Sequence, residues 1–255
     1  MFRLRALGTG TIAFSPTRSC SGYLIEAGEV RLLMECGSGV TRRLAEQGIE
    51  WQGITHVAIT HFHIDHHADL PSLIFAFRYG MLPARSAPLQ VLGPVGTRSL
   101  LERLAAAYGE WMLAPGFPVT VHELEPGKYH DLGGAGITPF KVPHTVESVA
   151  YSITRGGRRI VYTGDTGVCP ELGIWAKDCD LLIAECSLPA TMAIPEHLTP
   201  EQAGELGRDA QPRMLALTHF YPPVEQVDIV AAVRRSYAGP LTLAHDGWVT
   251  EIEER

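Results

Sequence analysis

The chain has 255 residues, a length that one large α/β domain commonly reaches. Hydrophobic residues make up 45% of it and charged residues 19%, which supports a large buried core and excludes a disordered chain. The formal net charge of −7 argues against a surface that holds nucleic acid by charge alone.

Short β-rich runs alternate with helical patterns along the chain. The predicted strands are Phe2–Leu7, Tyr23–Ala27, Val30–Glu35, His56–Thr60, Gln90–Leu92, Thr120–Leu124, Ile137–Val142, Ala150–Thr154, Arg159–Thr163, Leu181–Glu185, Met214–Thr218 and Leu241–Ala244. The predicted helices are Gly39–Gln47, Ala68–Tyr79, Thr97–Tyr108, Pro200–Ala210 and Val224–Tyr237. No repeat or long linker divides the series. We therefore expect residues 1–255 to form a single domain of the α/β class.

The first residues and the cysteines indicate a cytoplasmic protein. Charged residues stand near Met1, and no apolar segment typical of a signal peptide follows them. No apolar run approaches the length that spans a membrane. The five cysteines form no CxxC pair, and their odd number indicates reduced thiols. The sequence thus predicts a cytoplasmic protein without membrane contacts.

Five of the predicted strands run into a side chain that can bind a metal or transfer a proton. These side chains are His61, His144, Asp165, Glu185 and His219. A single strand that ends on a polar residue is unremarkable. Five such strands, three of them ending on histidine, predict a common site, because α/β folds place their sites at strand ends along one edge of a sheet.

The densest cluster is the segment 61–66, which reads HFHIDH. In an extended stretch His61 and His63 project to the same side, so both can bind one ion. A turn at Ile64 would swing Asp65 and His66 toward a neighbouring position. Imidazole and carboxylate ligands suit Zn²⁺ and also Mn²⁺ or Fe, and the lack of cysteine disfavours a closed structural site. The four ligands are better explained as halves of two metal sites.

These motifs, in this order, resemble those of the metallo-β-lactamase superfamily, and within it the ribonuclease Z-like branch. In Glu35-Cys36-Gly37 a glutamate stands where that branch usually has aspartate. The resembling elements span nearly the whole chain: Leu7–Thr11, Glu35–Gly37, Thr60–His66, Pro143–Thr145, Thr163–Thr166, Ala184–Cys186, His197–Thr199, Thr218–Phe220 and Ala244–Gly247. The resemblance implies an αβ/βα four-layer sandwich, in which two mixed sheets face each other with helices outside.

The resemblance also implies a dinuclear metal-dependent hydrolase. By position, the first ion would be held by His61, His63 and His144, the second by Asp65, His66 and His219, and both by Asp165. Zinc is the default for the two divalent ions, with Mn²⁺ or Fe open. A hydroxide bridging the ions would be the nucleophile. Asp65 would hydrogen-bond that hydroxide, and His197, oriented by Glu185, would protonate the leaving group; alternatively, Glu185 and His197 form a buried pair without a catalytic role.

One departure from the branch bears on the substrate. Ribonuclease Z carries a long arm that grips transfer RNA, inserted between the positions of His144 and Asp165. Here those residues are only 21 positions apart, and two predicted strands with a Gly-Gly turn occupy the interval. This spacing and the acidic charge argue against transfer RNA as a partner.

The leading interpretation is a phosphodiesterase that acts on a small phosphodiester or cyclic nucleotide. Three alternatives stay open: a hydrolase of a lactone, thioester or β-lactam, a transfer-RNA 3′-end endoribonuclease, and a non-catalytic metal-binding protein. A homodimer is also left open.

Residues outside these motifs receive simpler predictions. Arg78 on the second predicted helix could reach a phosphate, but we favour a solvated side chain. His67 has no place in the ligand pattern and is expected near the ligands or at the surface. His56, His122 and His130 are expected to be surface or hydrogen-bonded histidines.

Overall fold

The computed structural model describes residues 1–253. Within that range the strands are β1 (Phe2–Gly8), β2 (Gly22–Ala27), β3 (Val30–Met34), β4 (His56–Ala58), β5 (Leu89–Gly93), β6 (Val119–Glu123), β7 (His130–Asp131), β8 (Gly136–Lys141), β9 (Val149–Arg155), β10 (Arg158–Tyr162), β11 (Leu181–Glu185), β12 (Leu215–Thr218), β13 (Leu241–Leu243) and β14 (Val249–Ile252). The α-helices are α1 (Val40–Glu46), α2 (Leu70–Tyr79), α3 (Thr97–Tyr108), α4 (Pro170–Trp175), α5 (Pro200–Ala210) and α6 (Ile229–Arg234).

The strands form two mixed sheets of seven strands each. The first has the order β14-β1-β2-β3-β4-β5-β6, and the second has the order β13-β12-β11-β10-β9-β8-β7. Strands β3 to β6 run parallel in the first sheet, and β10 to β13 run parallel in the second. The carboxyl ends of these parallel strands lie along one edge of each sheet, where loops can assemble a site.

Three hydrophobic clusters hold the layers together, because successive strand residues point to opposite faces of a sheet. One cluster fills the space between the sheets and includes Tyr23 and Tyr151. A second joins the outer face of the first sheet, with residues such as Leu24, to α1, α2 and α3, with residues such as Phe77. A third joins Leu182 and its neighbours to α4, α5 and α6. The result is the predicted four-layer sandwich with two mixed sheets and outer helices.

The predicted elements are confirmed to within two residues at their ends, except near the C-terminus. There, the single predicted helix is divided into a 3₁₀ turn over Val224–Gln226 and the separate helix α6, which begins at Ile229. The Asp228 side chain caps α6 by accepting a hydrogen bond from Ala231 N at 2.9 Å. The predicted hairpin between β9 and β10 is confirmed: Gly156 and Gly157 have φ values of 54° and 70°, the conformation of a tight two-residue turn.

The sequence gives no sign of β7, α4 or β14. The first two are very short, and β14 is a partly exposed strand that pairs with β1 at the sheet edge. Among residues 1–253, no helix is long and apolar enough to cross a lipid bilayer.

His56 departs from its expected role. It is 3% exposed, and its buried Nε2 atom has no hydrogen-bond partner within residues 1–253, although Nδ1 lies 2.7 Å from Thr55 Oγ1. His122 and His130 are partly exposed, with ring centroids 4.7 Å apart. His56 is therefore a buried histidine whose hydrogen bonds are only half satisfied.

Candidate metal centre

Loops that follow four strands bring the candidate ligands to one edge of the sandwich. In the first sheet, β4 leads to His61, and a 3₁₀ turn over Ile64–His66 follows. In the second sheet, β8 leads to His144, β10 to Asp165 and β12 to His219. Because β10, β11 and β12 are parallel neighbours, the loops after β10 and β12 emerge on the same side.

The Asp165 carboxylate lies at the centre of this group. Its Oδ2 atom is 3.4 Å from Nε2 of His66 and 3.4 Å from Nε2 of His219. The Nε2 atoms of His61 and His144 each lie 3.8 Å from the same oxygen. Among the described residues, three sets of side chains offer ligand atoms that all lie within 4.8 Å of one another. The first is His61, His63, His144 and Asp165, the second is Asp65, His66 and His219, and a third, Asp165, His197 and His219, overlaps both.

The atoms that face this centre are suited to a cation. Nε2 of His61, His66 and His219 and Oδ1 of Asp165 are buried and have no hydrogen-bond partner among the described residues. A buried polar atom without a partner costs about 1–3 kcal/mol, so this arrangement favours a bound ion. Imidazoles and carboxylates are ligands of Zn²⁺, Mn²⁺ and Fe. The residues present therefore fit a divalent metal.

The directions of the pKa shifts of Asp165 and His61 agree with this fit. Burial raises the pKa of Asp165, but His219 and His66 act against it and hold the pKa well below the usual range. Burial lowers the pKa of His61, and the neighbouring His66 lowers it further. An ionised carboxylate and a neutral imidazole are the forms that bind metal.

Outer hydrogen bonds orient three of the imidazoles. Nδ1 of His61 lies 3.0 Å from Thr60 Oγ1, Nδ1 of His144 lies 2.9 Å from Glu196 O, and Nδ1 of His219 lies 3.0 Å from Ser187 Oγ. Holding Nδ1 fixes the tautomer and turns Nε2 toward Asp165. This is the arrangement that protein metal sites use to preorganise histidine ligands.

Glu35 supports the site from beneath. Its buried carboxylate accepts a hydrogen bond from Thr60 Oγ1 at 2.5 Å, and its Oε1 lies 3.3 Å from Nδ1 of His66. Its φ of 61° lies in the left-handed region, which costs a non-glycine residue on the order of 1–3 kcal/mol. Glu35 thus contacts the candidate ligand His66 directly and the candidate ligand His61 through Thr60. It stands where the ribonuclease Z-like branch usually has aspartate.

Glu185, the last residue of β11, lies at the centre of a second buried network. Its carboxylate accepts hydrogen bonds from Thr166 N at 2.6 Å, His197 Nδ1 at 2.9 Å and Leu198 N at 3.2 Å, and from the Ser187 hydroxyl. The predicted contact between Glu185 and His197 is therefore present. Burial lowers the pKa of His197, but the hydrogen bond and charge of Glu185 outweigh it and raise the pKa to about 9.

Ser187 links this network to the metal centre. Because its hydroxyl donates to Glu185, it accepts from Nδ1 of His219. A ring nitrogen of His197 lies within 4.8 Å of ligand atoms of Asp165 and His219. The sequence does not reveal Ser187, whose only signal is its position two residues after Glu185.

The remaining predicted residues lie outside the cluster. His67 is buried and its Nε2 lies 3.1 Å from Phe62 O, so it contacts the backbone of the motif and joins neither ligand set. Arg78 donates to Ala114 O at 3.1 Å and lies over the Tyr79 ring, 4.9 Å from its centroid. Arg78 is thus held against its own helix and the loop after α3.

Known proteins resemble this chain along most of its length. The profile of the Beta-lactamase superfamily domain matches residues 17–220. The chain is 28% identical over 313 aligned positions to a protein named Ribonuclease Z from Myxococcus xanthus, with 100% of both chains covered. Its structure is similar to the metallo-beta-lactamase fold protein YhfI from Bacillus subtilis, with a TM-score of 0.85, 25% identity and 98% of each chain covered. The short form of human tRNase Z (ELAC1) gives a TM-score of 0.79 at 26% identity, over 98% of this chain and 99% of that one.

These likenesses bear on transfer RNA. Because relatives named ribonuclease Z and tRNase Z match over 99–100% of their lengths, the expectation that transfer RNA is an unlikely partner is not borne out. The alignment with the M. xanthus protein has 313 positions against 255 residues here, so that relative contains segments without a counterpart in this chain. Between His144 and Asp165, the described chain forms β9, a tight turn and β10.

Proposed function

The chain belongs to the beta-lactamase superfamily and is a metal-dependent hydrolase, and we propose that its substrate is a small phosphodiester such as a cyclic nucleotide. The observation that carries this proposal is the position of Asp165 Oδ2, 3.8 Å from His61 Nε2 and 3.4 Å from His66 Nε2, with His197 beside the ligand sets. We take residues 1–255 as one catalytic domain.

Seven side chains are proposed to bind two divalent ions, zinc by preference. The first ion would be held by His61, His63 and His144, the second by Asp65, His66 and His219, with Asp165 between them. When bound, such ions activate water and offset the negative charge of a phosphodiester at the point of attack. The orphaned Nε2 atoms and the fixed Nδ1 atoms support this assignment, because together they aim the rings at one region.

His197 is proposed to donate a proton to the leaving alkoxide. Glu185 holds Nδ1 of this ring at 2.9 Å, so the ring has a fixed orientation at the edge of the cluster. Its ring centroid lies 4.8 Å from that of His144 and 5.7 Å from that of His219. Asp65, with its Oδ2 atom 3.6 Å from Nε2 of His219, is proposed to orient the attacking water.

Two observations favour a small substrate. The interval between His144 and Asp165 is used up by β9 and β10, and the formal net charge is −7. A protein that grips nucleic acid usually neutralises several phosphates with lysine or arginine. A carbonyl substrate such as a lactone, thioester or β-lactam would use the same ligands, and the Glu185–His197 pair favours a phosphodiester over it.

Cleavage of transfer RNA at its 3′ end is the second candidate. It is favoured by the full-length similarity to the M. xanthus protein named Ribonuclease Z and to human tRNase Z. A precursor transfer RNA and a cyclic nucleotide offered to the same preparation separate the two candidates directly.

The test of the proposed function is hydrolysis of bis(p-nitrophenyl) phosphate by the purified protein before and after chelation, and after zinc or manganese is restored. The matched variants are His63→Ala, in a ligand set, and His245→Ala, an exposed histidine outside both sets. We expect activity in the wild type and in His245→Ala, and loss of activity on chelation and in His63→Ala. Metal-loaded protein that hydrolyses lactones or thioesters but no phosphodiester would overturn the proposal.

A further inference from the structure

A groove with a volume of about 320 Å³ lies beside the candidate metal ligands. Its walls include Ile12 and Phe14 from the loop after β1, and Ile64 and Ala68 from the segment that follows His63. We call it the Phe14 groove. Ile64 lies between the candidate ligands His63 and Asp65 in the chain, so the groove borders the segment that carries them. Its volume is within the range of small-molecule sites.

The large apolar side chains that line the Phe14 groove are exposed to solvent. Phe14 is 101% exposed, Ile64 is 61% exposed and Ile12 is 47% exposed. Single exposed apolar residues are common, but a group of them around a concavity indicates a binding surface. Their position beside the proposed reaction centre makes the substrate the natural occupant.

The loop that carries Phe14 is anchored at both ends. Thr9 N and Ser19 N donate hydrogen bonds to the Asp246 carboxylate at 3.0 Å and 2.7 Å. Within the loop, Ser15 Oγ accepts from Thr17 N at 3.2 Å. Phe14 therefore belongs to a loop whose two ends are fixed on one carboxylate, and its ring is one of the groups that line the groove.

The polar part of the lining consists of hydroxyl groups and one arginine that is already paired. Hydroxyl groups come from Thr11, Ser15, Ser19 and Ser38. Among the described lining residues, the charged side chain is Arg18, and its guanidinium already donates to Glu225 Oε1 and to Ala244 O, both at 2.8 Å. The Phe14 groove therefore suits a planar, uncharged group with hydrogen-bonding edges, and it offers no free charge for a second phosphate.

We propose that the Phe14 groove binds the nucleobase of a nucleotide phosphodiester whose phosphate lies at the metal centre. This inference rests on the proposed function and names its substrate class. Phe14 and Ile64 pack against the faces of the base, and the hydroxyl groups bond to its edge. Stacking on an aromatic side chain strengthens the binding of a base by about 5- to 150-fold.

Two matched substrates test the groove. Thymidine 5′-(p-nitrophenyl phosphate) and methyl p-nitrophenyl phosphate release the same leaving group and differ in the nucleoside. We expect the wild type to have a kcat/KM about 5- to 150-fold higher for the thymidine ester, and Phe14→Ala to lose most of that ratio. The control is Ile174→Ala, which removes a 72% exposed apolar side chain from α4 and should keep the wild-type ratio.

The outcomes separate the groove from the proposed function. Equal kcat/KM for the two esters in the wild type, or a ratio that Phe14→Ala leaves unchanged, would overturn the base site while the phosphodiesterase stands. If neither ester is hydrolysed, the proposed function fails, and calorimetry with thymidine 5′-monophosphate decides on the groove. Weaker binding to Phe14→Ala than to the wild type would then support the base site, whereas equal binding or none would refute it.

Discussion

Acid should destabilise the protein through His56, and replacing this residue with leucine should remove that part of the effect. His56 begins β4 and is 3% exposed. Successive side chains in a strand point to opposite faces of the sheet. The next residue, Val57, packs in the cluster between the first sheet and the outer helices, so His56 points to the other face, toward the second sheet. The basic groups whose charges act on it are His130 and His122. Among the described residues, no carboxylate is one of the groups whose charge acts on His56, so a proton there would be buried without a balancing charge.

The size of the effect follows from the pKa. Burial, together with the charges of His130 and His122, lowers the pKa of His56 from 6.5 to about 4. Between these values the unfolded chain binds the proton and the folded chain does not, so stability is lost as the pH falls from about 6.5 to about 4. The shift corresponds to ~3 kcal/mol at about 1.36 kcal/mol per pH unit. In a chain of this length, that lowers Tm by about 6–12 °C.

The assay is thermal unfolding followed by circular dichroism at about pH 8 and about pH 4. A chelator in every sample keeps metal release out of the comparison. Near pH 8, His56→Leu should melt close to the wild type, because Thr55 Oγ1 keeps its contacts with Arg31 N at 3.0 Å and Arg31 O at 3.2 Å. Between about pH 8 and about pH 4, the Tm of the variant should fall by about 6–12 °C less than the Tm of the wild type.

The control is the exposed His245, whose replacement by leucine should leave the pH dependence of Tm as in the wild type. If wild type and His56→Leu lose the same number of degrees between the two pH values, the reasoning is refuted. The buried ring would then have found a partner for its proton.

Three further predictions concern the site and its support. Ser187→Ala should weaken zinc binding about 10–100-fold in a chelator competition, because His219 loses the hydroxyl that orients its ring; unchanged affinity would contradict this. His197→Ala should slow hydrolysis of a diester with an alkoxide leaving group about 10²–10⁴-fold, and of p-nitrophenyl esters far less, because p-nitrophenolate leaves without a proton. Equal losses on both substrates would assign His197 a structural role. Tyr23→Phe should lower the free energy of unfolding by about 1–3 kcal/mol in urea titrations, because the buried Thr218 hydroxyl loses its 2.5 Å partner; an unshifted midpoint would exclude that contribution.

The fold and the identity of the candidate ligands could be predicted from the sequence because the patterns that indicate them are local. Alternation of apolar residues identifies strands, and the segment from His61 to His66 places four candidate ligands within six residues. The order of the motifs along the chain then indicates the superfamily. None of these signals depends on a contact between distant residues.

The arrangement around Asp165 was decided by tertiary structure alone. His63 and His144 are 81 residues apart and come from different sheets, yet Nδ1 of one lies 3.1 Å from Nε2 of the other. Tertiary structure also brings Ser187 into hydrogen-bond contact with His219, and it brings Phe14 and Ile64 into the lining of one groove. A serine hydroxyl or an exposed phenylalanine has no distinctive spacing in a sequence. Such residues acquire a role only when the packing of the two sheets sets the distance to their partners.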